Sequence, residues 1–428
     1  MIYEKINMGS YNLHIIKTTK FKTITVEVNF RREVKKEEIT IRNLLKTVLL
    51  STNKNFKSER ELIKETENLY DLKLISSNNR IGNFSNLSFK IRFLNECYTE
   101  ENMNEYSISF LMDILFNPDI NNKQFNEFEV KKAKNKLEKN IKNLSDNKLK
   151  YTLIKLLETT KNKAYSYNSY GYLEDLDKID AKNLYEYYCS VLKDDTIDVF
   201  VVGDVDINKI KQLFKQQFKA NTFKKKKTNI IVDELTLRKR MKKVIENDTA
   251  NQSQLTLLFS LNNLTDFERK YVLLVYNEML GGSSNSLLFD EVREKNSYAY
   301  YINSTTKAYD NIMMIYSGIE TGNAESVLKL IKKTLLHIGK GNFDNSILES
   351  SKETIIASIK SSIDSPAGII NTYYAKILVD SDEFEERIKN IKSVTKEDII
   401  NINKKITLHT MYLLEGENKE ENISNETN

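Results

Sequence analysis

Residues 255–318 read LTLLFSLNNLTDFERKYVLLVYNEMLGGSSNSLLFDEVREKNSYAYYINSTTKAYDNIMMIYSG. Leu255 to Leu261 is an apolar run of strand length. Thr265-Asp-Phe-Glu268 has the form of a capping box, in which hydroxyl and carboxylate each satisfy the other residue's amide. It opens a helix carrying Phe267, Tyr271, Leu274 and Glu278. Gly281-Gly282 breaks that helix, and a second runs from about Ser286 to Lys295. Tyr298 to Ser304 and Ile312 to Gly318 then read as a pair of strands.

The same order occurs earlier. Thr23 to Phe30 alternates polar and apolar residues, as a half-buried strand does. Lys36 to Leu50 carries Ile39, Leu44, Leu45, Val48 and Leu49 at helical spacing. Ser58-Glu-Arg-Glu61 is a second capping box, opening a helix through Leu69. Leu72 to Ser76 and Leu87 to Phe93 pair across an Asn/Gly turn, with Leu87, Phe89, Ile91 and Phe93 on one face. Charged helical stretches fill 103–160, and another helix covers 181–192. Thr196 to Val202 is a buried strand ending at Gly203-Asp204. Helices to about residue 402 and a strand over Thr407 to Leu414 repeat that ending.

Strand, helix, helix, strand pair, helices, strand thus occurs twice, which predicts two homologous halves. The expected boundaries are 1–218 and 246–428, joined by a linker at 219–245 that holds the run Lys224 to Lys227. The fold class is α+β: each half is a mixed, mainly antiparallel sheet with helices on one face, the two arranged like a clam.

The length of 428 residues corresponds to roughly three domains, or two large ones, at about 150 residues each. A net charge of +5 spread over this length is no concentrated basic face, and the lysine run lacks interleaved aromatics, so nucleic-acid binding is not expected. Hydrophobic residues at 40%, with 23 Tyr and 19 Phe, supply a core and exclude global disorder. Cys97 and Cys189 cannot form a disulfide framework and read as buried small residues. The start, MIYEKINMGSYNLHIIK, lacks the basic-then-apolar order of a signal peptide. No apolar run approaches the ~20 residues that span a bilayer. A cytoplasmic location is expected.

Arg293 and Tyr300 lie seven positions apart, on the end of a helix and the start of a strand. They meet at one rim only if the intervening turn folds the strand back beside the helix end. A guanidinium there can bond peptide carbonyls or a carboxylate, and a phenol can stabilise an oxyanion. A surface Arg and a half-buried strand Tyr are the alternative. His14, His337 and His409 are scattered without a His-x3-His pair and read as structural or surface residues.

The string 281–301 resembles the second-half signature of the insulinase-like (pitrilysin) metallopeptidase family, through Gly281, Gly282, Ser286, Leu288, Phe289, Arg293, Glu294, Lys295, Ala299 and Tyr300. Tyr170-Gly171, Leu173 to Leu176 and Val201 to Asp204 look like the end of the family's first half. Gln252 and Ser362 to Gly368 add to the likeness. The resemblance implies that Arg293 and Tyr300 bind substrate peptide and support the transition state. It also places a His-x-x-Glu-His zinc helix in the first half, with a distant Glu as third ligand. The matching positions are Asn43, Lys46 and Thr47, a degenerate set: an amide and a hydroxyl are poor zinc ligands, and a lysine opposes a dication. Glu127 or Glu129 falls near the third-ligand position.

By this resemblance the chain has no catalytic residue or metal of its own. It is similar to the zinc-lacking subunit of two-subunit bacterial pairs, which are linked to bacteriocin or peptide processing or to modification of translation elongation factor P. The expected partner is a homologous zinc-bearing subunit in a heterodimer, with zinc held by the partner and a peptide as substrate. The alternative is a non-enzymatic structural or peptide-binding scaffold of the same fold.

Overall fold

A computed structural model describes residues 1–161, 163–218, 230, 232 and 235–417. The chain forms two compact units: Met1–Asn143 with Asn168–Ile230 and Ile363–Tyr374, and Leu144–Tyr167 with Ile231–Ser362 and Ala375–Asn428. Most of the linker expected at 219–245, including the lysine run, lies outside the described residues. Its last residues do not link: Lys242–Asn247 is a strand. Its charged ends hide a weak alternation typical of an edge.

Unit 1 holds a six-stranded sheet in the order Ile2–Asn7, Asn12–Lys17, Thr196–Gly203, Thr23–Glu33, Phe84–Leu94, Lys73–Ile81. Every neighbouring pair is antiparallel except 12–17 with 196–203. Unit 2 has five strands in the order Ala299–Lys307, Ile312–Ile319, Ser253–Leu261, Ile406–Glu415, Lys242–Asn247, and again only the last pair is parallel. The two sheets therefore share one topology, apart from the extra edge strand Ile2–Asn7.

In unit 1, Ile24, Val26, Val28 and Phe30 join Leu87, Phe89, Ile91, Phe93, Val199 and Val201 in one apolar core. Helices Ile39–Val48, Met103–Phe116 and Ala181–Asp194 contribute Leu44, Leu45, Ile108, Leu111, Leu184 and Val191 to it. The opposite face is polar and also buried, which corrects the expectation of a half-buried strand at 23–30: Thr25, Glu27, Asn29 and Arg31 are inaccessible. The segment 363–374 covers that face. Tyr374 donates to Asn86 Oδ1 at 3.0 Å, and its ring meets Phe200 at 5.5 Å.

Unit 2 repeats the arrangement with a segment from earlier in the chain. Helix Lys148–Glu158 and Tyr165 pack against Leu258, Met314, Tyr412 and Leu414. Tyr151 donates to Glu246 Oε1 at 2.7 Å, and Lys148 pairs with Asp248 at 2.6 Å. A sheet face with period-two alternation exposes a second surface, and here a helix seals each one.

Buried charge fixes the first helix of unit 1. Arg42, 1% exposed, donates to Asp195 Oδ2 at 2.7 Å and to the Phe30 carbonyl at 2.6 Å. Arg32 pairs with the same carboxylate and, at 3.0 Å, with Glu38. Removing Asp195 leaves the buried Arg42 guanidinium without its carboxylate, while Arg32 keeps Glu38, so Asp195→Ala should cost about 3–5 kcal/mol, read as a lower urea midpoint.

His409 gives unit 2 a pH response. Its Nε2 accepts from Arg238 Nε at 3.0 Å, and its Nδ1 contacts Thr410 Oγ1 at 2.7 Å. Burial, followed by the charge of Arg238, pushes the imidazole down to about 4. Because the folded value lies below the unfolded one, its contribution is complete above pH 6.5 and is lost as the pH falls towards 4. His409→Leu should therefore narrow the gap between urea midpoints measured at pH 7.5 and pH 4.5.

Candidate functional site

The helix Ile39–Val48 is held at its N-terminal end by the Tyr170–Leu176 segment. Thr40 Oγ1 donates to Asp175 Oδ2 at 3.1 Å and accepts from the Tyr172 amide at 3.0 Å. Gly171 has φ +95°, and a Cβ there would lie 2.6 Å from Thr40 Oγ1, so only glycine allows this approach.

Asn43, Lys46 and Thr47, which the resemblance assigns to the zinc motif, carry groups that do not fit a metal. Asn43 is buried, and its Nδ2 donates to the Ile39 carbonyl at 3.1 Å and the Ser169 carbonyl at 2.8 Å. Its Oδ1 accepts from Asn78 Nδ2 at 3.3 Å, so the carboxamide is spent on protein partners. Thr47 Oγ1 bonds back to the Asn43 carbonyl at 3.3 Å. Lys46 is half-buried, and burial together with the nearby Lys136 lowers its pKa.

Glu129 is buried on helix Glu127–Lys142 and pairs with Lys132 at 3.4 Å, while Glu127 is exposed. The histidines lie elsewhere: His14 against Asp198 at 3.3 Å in strand Asn12–Lys17, His337 exposed on helix Ala324–Gly339, and His409 as above. No group of three or more His, Cys, Asp or Glu that could hold a metal occurs among the described residues. Both cysteines are exposed, not buried as expected. Cys97 sits in the surface turn Glu96–Tyr98, and Cys189 is on helix Ala181–Asp194, whose inner face is taken by Leu184, Tyr188 and Val191.

In unit 2 the turn after the helix does reverse the chain. The Tyr298 amide bonds the Val292 carbonyl at 3.1 Å and the Ser297 amide bonds the Arg293 carbonyl at 3.0 Å. The two bonds are nested and each is one residue wider than in a Schellman motif, as the wider winding of Phe289–Glu294 requires, with Ser297 at φ 54° in the left-handed position where glycine is usual. The strand Ala299–Lys307 therefore starts beside the end of the helix Phe289–Glu294.

Its register shifts after Ala299. Ala299 opposes Ile319 and Tyr301 opposes Gly318, which leaves Tyr300 in a bulge, 57% exposed. Arg293 lies over the Phe289 ring at 4.7 Å, its side chain 45% exposed, with Glu294 3.8 Å from its Nε. Both donors face solvent.

The bulge rests on residues that the sequence did not single out. Tyr301 donates to Gln254 Oε1, and burial raises its phenol to about 12. Gly318 leaves room for it, since a Cβ there would come within 2.5 Å of the Tyr301 ring. A glycine inside an apolar strand run is the one signal that pointed there.

Relieving the left-handed strain at the turn, Ser297→Gly should stabilise the protein by about 1 kcal/mol in urea unfolding.

The sequence and fold have known counterparts. Residues 178–355 match the family model described as the peptidase M16 inactive domain. The chain is 30% identical over 419 residues to a protein of Bacillus subtilis named a probable inactive metalloprotease, YmfF, covering 96% of this chain and 97% of that one. It is 28% identical over 276 residues to YmxG, an uncharacterized zinc protease of the same organism, covering 63% and 64% of the two chains. The crystal structure of a conserved protein from Enterococcus faecalis superimposes with a TM-score of 0.90 at 26% identity, covering 97% and 99%. On these likenesses the chain belongs to the insulinase-like M16 peptidase family, as a catalytically incomplete homologue.

Proposed function

We propose that this chain is the substrate-binding subunit of a two-chain peptidase, with the zinc helix supplied by a homologous partner. The observation that carries this reading is the contrast between the two motifs. The metal positions are closed by internal hydrogen bonds, whereas Arg293 and Tyr300 are exposed on a chain reversal that brings their elements together.

A pure scaffold has no use for both donors. An extended peptide can add to the free edge of strand Ala299–Lys307, which has only one sheet neighbour among the described residues. Arg293 would then bond the carbonyl side of the scissile region, and Tyr300 would stabilise the developing oxyanion. Bacillus subtilis carries relatives of both kinds, one named inactive and one named a zinc protease. The reading includes a cytoplasmic site, in keeping with two free, exposed cysteines.

Co-expression with a homologous chain bearing His-x-x-Glu-His should yield a heterodimer that cleaves peptides only when both chains are present. In that pair, Arg293→Ala and Tyr300→Phe should each lower kcat/KM by on the order of 10²–10³ while the chains still co-purify. Undiminished turnover in both variants would remove the assignment. A pair that assembles but never cleaves would favour the scaffold.

A further inference from the structure

One row of the unit 2 sheet crosses three strands. Tyr301 and Gln254 are both paired with Gly318, from the strands Ala299–Lys307 and Ser253–Leu261 on either side of Ile312–Ile319. Two strand spacings, about 9.5 Å, separate their backbones, so phenol and carboxamide meet only because no side chain stands between them. A Cβ on Gly318 would lie 2.5 Å from the Tyr301 ring and 2.7 Å from Gln252 Nε2.

The contact continues past Gln254. Tyr301 donates to Gln254 Oε1, and Gln254 Nε2 donates to Gln252 Oε1 at 3.4 Å. Burial raises the phenol to about 12, so it stays protonated and donating across the neutral range. The backbone of Tyr301 is held as well: Ser317 Oγ donates to its carbonyl at 2.8 Å. Tyr301 is thus fixed through side chain and main chain, and it is the residue next to the bulged Tyr300. Ala299–Lys307 pairs on one side only among the described residues, so without such ties the extra residue could slip along the strand.

We infer that Tyr301 and Gln254 are positioning residues: latched across Gly318, they hold the bulge in place and so aim the Tyr300 phenol. The inference rests on the reading in which Tyr300 supports the transition state. It gives Gln252, one of the residues that carry the family likeness, a place at the far end of the latch.

In the active pair, Tyr301→Phe and Gln254→Met should each lower kcat by roughly tenfold and leave KM nearly unchanged, because a misplaced oxyanion donor costs turnover and not binding. Neither should lower kcat further in a Tyr300→Phe background. Replacing both partners of a hydrogen bond by apolar groups is close to neutral, so Tyr301→Phe with Gln254→Met should recover the urea midpoint without recovering kcat. In the full chain alone, amide exchange of residues 297–303 should quicken in all three variants, while the helix Ala324–Gly339 keeps its rates.

Losses that add to that of Tyr300→Phe, or turnover that returns with stability in the double variant, would overturn the proposal and leave a structural contact. Unchanged exchange at 297–303 would overturn it whether or not any pair cleaves. A pair that never cleaves removes the two-chain reading alone, and quickened exchange then still upholds the latch.

Discussion

Two buried carboxylates, Asp195 and Asp198, hold unit 1 in register. Asp195 stands just before the strand Thr196–Gly203 and takes Arg42 from the first helix and Arg32 from the strand Thr23–Glu33. Asp198 lies inside the strand and takes Arg31 at 3.5 Å, His14 at 3.3 Å and Asn12 at 2.9 Å. Burial pushes the Asp198 carboxyl up, but His14, Arg31 and Asn12 together hold it below the usual carboxylate value. One strand is thereby tied to both neighbours on the sheet and, through Arg42, to the helix that crosses it. Charges so placed contribute less to stability than to uniqueness: a slip of one residue would leave each of them buried and alone.

That anchorage explains how the helix Ile39–Val48 survives without a metal. Its position is set by Arg42 below and by the Thr40–Gly171 approach at its start, neither of which involves Asn43, Lys46 or Thr47. Asn43 then closes the space by bonding the Ser169 carbonyl and Asn78. A side chain with two donors and an acceptor satisfies groups that would otherwise be orphaned. In unit 2 the corresponding economy is reversed: Tyr301, Gln254 and Gly318 are spent on shaping a bulge whose only visible effect is to expose Tyr300.

The duplication was legible because apolar periodicity and capping boxes recur in one order, and both sheets follow that order. Thr265 and Glu268 form the reciprocal box, at 3.2 and 2.7 Å. At Ser58 only half forms: Ser58 accepts the Glu61 amide at 3.2 Å, while Glu61 turns to the Lys57 amide at 2.7 Å. Edge strands were harder to read. Ile2–Asn7 and Lys242–Asn247 carry charges on strands that pair on one side, so their alternation is diluted. The exposed cysteines follow the same logic, since residue type alone does not say which helix face a position takes.

The sequence by itself determined the repeat, the identity of Asn43, Lys46 and Thr47 on the first helix and the seven-residue spacing of Arg293 and Tyr300. These are matters of residue identity and spacing. Only the tertiary structure decided that the polar sheet face of unit 1 is buried under 363–374, that the Asn43 carboxamide is taken up by protein partners, and that a tight chain reversal and a bulge present the two donors. Each of these depends on partners more than a hundred residues away or on backbone hydrogen bonds, and neither kind of partner leaves a local pattern in the chain.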